Sequence, residues 1–113
     1  MILKEIAESL GLEMLTAQDM LDTEVTGGYS SDLLSDVMAN TKRGNLWITL
    51  QIHQNIVAVA KLKELSGIII VNSRQPEEDT VKKAEEEKVP LLRTADPAFA
   101  ISGKLYGLMG PKE

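Results

Sequence analysis

Two arginines, Arg74 and Arg93, stand just beyond apolar runs in a chain whose other charges are largely acidic. A guanidinium offers a planar fork of donors that can clasp a phosphate or carboxylate through two bonds, and it can equally pair with a neighbouring Asp or Glu. The segment Thr26-Gly27-Gly28-Tyr29-Ser30-Ser31-Asp32 reads as a strand end leading into a helix start, where unpaired backbone N–H groups can hold an anion. Neither the phosphate-loop pattern nor the dinucleotide glycine pattern is present. A plain glycine turn is therefore the competing reading, and Asp32 itself can complement the helix dipole. His53, the one histidine, follows an apolar run; without cysteine or an acid at ligand spacing it suits capping or ligand contact better than a metal site. Asp32 and Asp36 lie four apart on one helix face, a spacing that alone is not an acid–base pair. The candidate ligand-binding residues are thus Thr26, Gly27, Gly28, His53, Arg74 and Arg93, with no catalytic set, no metal site and no cofactor expected.

Placing these residues on one rim falls to three apolar runs: Leu46-Trp47-Ile48-Thr49-Leu50, Gly67-Ile68-Ile69-Ile70-Val71 and Val89-Pro90-Leu91-Leu92. Each leads into a helix-like segment, the rhythm of βα units in a parallel sheet. Ligands of such sheets sit beyond the carboxyl ends of the strands, where Gln51, His53, Asn72, Ser73, Arg74, Arg93 and Thr94 would gather. Ile2, Ile6 and Leu10 form a helical stripe closed by Gly11. Glu13 to Thr16 and Leu21 to Thr26 read as short strands, the second stopped by Gly27-Gly28. A helix capped by Ser30 or Ser31 follows, burying Leu33, Leu34, Val37 and Met38. Asn55 to Leu65 is apolar nearly all round, so either other helices or a second subunit must cover it, and association through this helix is expected. Pro76 and Asp96-Pro97 mark two further helix starts, the last helix running to about Met109 with Gly103 and Gly107 on one side. The expected fold is a single α/β domain over 1–113, three-layered, with a mostly parallel sheet of about five strands between helices.

Composition narrows function. A net charge of −5 and a deficit of Lys and Arg against Asp and Glu (12 against 17) disfavour nonspecific nucleic-acid binding, which depends on neutralising phosphates. The absence of cysteine removes disulfides, thiolate metal sites and thiol nucleophiles. Lys4, Glu5, Glu8 and Glu13 interrupt any signal-peptide core, and no apolar run is long enough to span a bilayer. A cytoplasmic protein bound to neither nucleic acid nor membrane is expected.

Three stretches together resemble the DRTGG domain: Glu24-Val25-Thr26-Gly27-Gly28, Leu46-Trp47-Ile48-Thr49 leading to His53-Gln54-Asn55-Ile56, and the C-terminal part with Pro76-Glu77 and Val89-Pro90-Leu91-Leu92-Arg93-Thr94. That last part is also similar to the N-terminal domain of HPr kinase/phosphorylase. The resemblance implies an α/β regulatory or assembly module found alone or attached to metabolic enzymes. Catalysis in the HPr kinase belongs to a phosphate-loop domain that this sequence lacks. Glu24-Val25 replaces the family's Asp-Arg, so the anion contact of that arginine is lost. The expected function is a stand-alone, non-catalytic regulatory or interaction module, a homodimer associated with a metabolic enzyme. The alternative is a sensor of a small anion, nucleotide or other phosphorylated small molecule.

Overall fold

In the computed structural model, which describes residues 1–110, the chain runs α1 (Leu3–Leu10), β1 (Glu13–Met14), a 3₁₀ turn (Gln18–Met20), β2 (Gly27–Ser30), α2 (Leu34–Asn40), β3 (Asn45–Thr49), α3 (Asn55–Leu62), β4 (Gly67–Ile70), α4 (Glu78–Glu86), β5 (Leu91–Arg93) and α5 (Ala98–Met109). The last three residues of the expected 1–113 domain lie outside the described residues. One sheet in the order β1-β5-β4-β3-β2 collects the strands, parallel throughout except where β1 meets β5. The α/β three-layer expectation therefore holds.

Alternating side chains divide the core between the two sheet faces. Leu46, Ile48, Ile69 and Leu92 meet Leu3 and Ile6 of α1 and Ile101 and Leu105 of α5. Trp47, Ile68, Ile70 and Leu91 face α2, α3 and α4 through Val37, Ile56, Val57, Ala60 and Ala84. Because β3 and β4 are buried on both faces, they read as unbroken apolar runs rather than as alternation.

Two expectations need correction. The helix expected over 55–65 ends at Leu62, and α2 and α4 cover it within the domain, leaving Leu62 as its large exposed apolar side chain at 68% exposure. An association face on α3 loses its motive. The second correction concerns Thr26-Gly27-Gly28. Residues 21–26 make only a lone bridge between Ile2 and Glu24, and the strand begins where it was expected to stop, at Gly27. Packing explains the reversal: a Cβ on Gly28 would fall 2.7 Å from Leu105 Cδ2, so its bare backbone lets α5 lie close on the sheet. Tertiary contact overrides the low strand preference of glycine.

Candidate functional site

The carboxyl rim holds His53 and Arg74, beyond β3 and β4, and Arg93, the last residue of β5, and each is engaged by its own chain. Arg93 ends β5, where Nε and a terminal nitrogen donate to Glu13 Oε1 at 3.0 and 2.8 Å while the other nitrogen donates to Gln75. The ion pair fastens β1 to β5. Arg74 is exposed and donates to the Leu50 carbonyl. His53 accepts the Asn55 N–H on Nδ1 at 3.1 Å, a side-chain bond at the start of α3. Asp32 accepts from the Thr49 hydroxyl and the Leu50 N–H, both at 2.8 Å, and its carbonyl accepts from the Gln51 amide. The β2 and β3 ends are thereby tied together. The rim is a set of closed polar bonds in which Arg74 is the exposed cation.

Thr26 and Gly27 lie at the other end of the sheet, since Gly27 pairs with Asn45, the first residue of β3. They do not join the arginines, and no helix N-terminus follows them directly. The Thr26 hydroxyl donates to the Arg43 carbonyl at 2.8 Å and accepts from Asn45 Nδ2 at 3.1 Å, while its N–H donates to the Gly44 carbonyl. Gly44 has φ +85° and packs so closely on Thr26 that a Cβ there would lie 2.7 Å from Cγ2. The threonine thus clamps the turn into β3. The expectation of an anion cradle opening a helix is corrected: this motif brackets an edge strand.

At the outer end of β2, the Tyr29 hydroxyl donates to Asp36 at 2.9 and 3.0 Å, and Asn40 donates to the same carboxylate at 2.8 Å. The hydroxyl of Ser31, then the Tyr29 phenol and the Asn40 amide, hold Asp36 below its ordinary carboxylate value. The bond to Asp36 in turn raises Tyr29 above an ordinary phenol. A depressed carboxylate contributes stability above its unfolded value, lost as pH falls through the lower folded value; a raised phenol contributes below its unfolded value, lost as pH rises through the higher one. Asp36→Asn is therefore expected to flatten the urea-midpoint profile below about pH 4 and above about pH 10. Asp19, lowered by Lys88, keeps its own share of the acid limb. An unchanged profile in Asp36→Asn would contradict the assignment.

A cleft of about 200 Å³ opens between β2 and α5, lined by Gly28, Ser30, Ile48, Ser102, Leu105, Tyr106 and Met109. Its walls are mostly apolar, and the Ser102 Oγ is buried there with no hydrogen-bond partner among the described residues. Phe99 (93% exposed) and Tyr106 (63% exposed) flank it on α5. The sequence carried a signal for this side: Phe99, Ser102, Tyr106 and Met109 recur at three- and four-residue spacing, next to the Ile101 and Leu105 stripe that faces the sheet.

No protein-family model matches the sequence, and no curated protein matches it. In three dimensions the chain is similar to the regulatory region of a Clostridium perfringens pyrophosphatase, comprising CBS and DRTGG domains and solved with its activator diadenosine tetraphosphate. The TM-score is 0.71 at 14% identity, over 92% of this chain and 45% of that one. Less than half of that protein's length is spanned, and the likeness at this identity is one of fold: the described residues adopt a DRTGG-like α/β arrangement.

Proposed function

We propose that the chain is a non-catalytic regulatory and interaction module of the DRTGG kind, similar to the N-terminal domain of HPr kinase/phosphorylase, that self-associates and acts beside a metabolic enzyme in the cytoplasm. The observation that carries this reading is the fold shared over 92% of the chain with part of an enzyme's regulatory region. The rim supports it: Asp32, His53 and Arg93, the groups best suited to chemistry, are committed to strand and helix ends. A second reading, the sensing of a nucleotide or small anion, is favoured by exposed Arg74 and by the dinucleotide activator of the similar pyrophosphatase region.

Thermal unfolding in the presence of diadenosine tetraphosphate, ATP and inorganic phosphate separates the two readings. A ligand at a hundred times its Kd adds about 2.7 kcal/mol, a rise on the order of 10 °C for a domain of this size. The assembly module is expected to show no such rise. A rise that Arg74→Ala abolishes would replace it with the sensor.

A further inference from the structure

We propose that two copies of this chain join through the open edge of β2 and the adjoining flank of α5, making one sheet continuous through the dimer. This rests on the self-association proposed above and names its surface. β2 is the last strand of the sheet, and the Ser31 N–H donates to the Ile48 carbonyl at 3.1 Å. Alternation along the parallel ladder then turns the N–H and C=O groups of Gly28 and Ser30 away from β3, toward solvent. Both residues are exposed, and among the described residues nothing bonds to these outward groups. Such an edge is a template for another strand, and β2 carries no proline, lysine or bulge to discourage one.

A second copy fits this edge by symmetry. A two-fold axis at Tyr29 sets Gly28 of one chain opposite Ser30 of the other, each pair exchanging both main-chain bonds of an antiparallel ladder. The helices agree with this spacing. α5 packs over β2 and β3, and strands in a sheet lie about 4.8 Å apart, so the two α5 axes would come about 10 Å apart, a normal helix-packing distance. The stripe Phe99, Ser102, Tyr106 and Met109 then meets the same stripe of the second copy running the opposite way over the seam, at the three- and four-residue spacing by which paired helices interlock.

Charge favours the same occupant. In a chain of net charge −5, neither β2 nor these four α5 residues carries a charge, so the strand edge and the α5 stripe themselves meet without like-charge repulsion. The area sets the strength. Covering the exposed parts of Phe99 and Tyr106 hides on the order of 300 Å² per copy, against the roughly 800 Å² per partner of a standard interface. Strand edge, Ser102 and Met109 add to this, and a concentration-dependent dimer follows.

Sedimentation velocity of the full chain from low micromolar to several hundred micromolar tests the seam. Ser30→Pro removes an outward N–H without touching the ladder to β3, and Tyr106→Glu charges the helix flank. Leu62→Glu, at the exposed last residue of α3, is the control. The wild type and Leu62→Glu should dimerise alike, while Ser30→Pro and Tyr106→Glu each weaken the dimer at least tenfold with unchanged circular dichroism. A dimer that survives both Tyr106→Glu and a folded Ser30→Pro, or one broken by Leu62→Glu, would overturn the seam and leave self-association standing. A wild type that stays monomeric throughout would overturn both.

Discussion

Trp47→Ala is expected to lower stability by about 3–5 kcal/mol, a large share of the roughly 5–15 kcal/mol that keeps a domain folded. Trp47 is the largest fully buried side chain, set in the middle of β3 against α2 and α3. Its removal leaves a void that the surrounding Val37, Ile56 and Ile68 can only partly fill. It also deprives the Ser31 carbonyl of the indole N–H that it accepts at 2.7 Å, where β2 turns toward α2. Trp47→Phe separates the two effects, keeping most of the volume while losing the bond, at a cost of about 1–3 kcal/mol. Urea unfolding followed by circular dichroism should rank wild type, phenylalanine and alanine in that order. Equal midpoints for the two variants would show that packing contributes little at this site.

Thr16→Val should cost about 2–4 kcal/mol although it preserves shape, because two buried main-chain groups lose their partner together. The Thr16 hydroxyl donates to the Val89 carbonyl at 2.7 Å and accepts the Leu91 N–H at 2.9 Å, and the side chain is 1% exposed. One hydroxyl thus closes the main-chain gap where the chain enters β5, just past the end of β1. Thr16→Ser keeps the hydroxyl and should recover most of the loss; if serine were as damaging as valine, the lost methyl rather than the bridge would be responsible.

Thr16 also shows where sequence reading falls short. A buried hydroxyl satisfying residues more than seventy positions away leaves no local trace, and Glu13 to Thr16 reads only as a weak strand. The long apolar runs did leave a trace. Gly67 to Val71 and Leu46 to Leu50 match β4 and β3 to within a residue, since burial on both faces demands unbroken Ile, Leu and Val. Gly28 misled because its role is set by Leu105, far along the chain, and not by turn preference. That error moved Thr26 and Gly27 to the wrong rim. Arg74 and His53 do fall beyond strand ends, and Arg93, expected beyond its strand, is instead the last residue of β5 on the same rim; the partners that engage them, Leu50, Asn55, Glu13 and Gln75, become apparent only once the sheet order is known. The apolar pattern of α3 suggested a partner subunit when its own neighbours α2 and α4 suffice, whereas the edge-facing stripe of α5 passed unnoticed beside two glycines.

Self-association by a module without chemistry of its own makes thermal stability depend on how much protein is present. Across a hundredfold range of concentration, mass action changes the stability of a dimer by about 2.7 kcal/mol, and the unfolding midpoint should climb by several degrees from the dilute to the concentrated end. Differential scanning fluorimetry over that range, in buffer free of nucleotides, is the most direct measurement. A climbing midpoint is the expected result; a midpoint that holds constant over the whole range would contradict it.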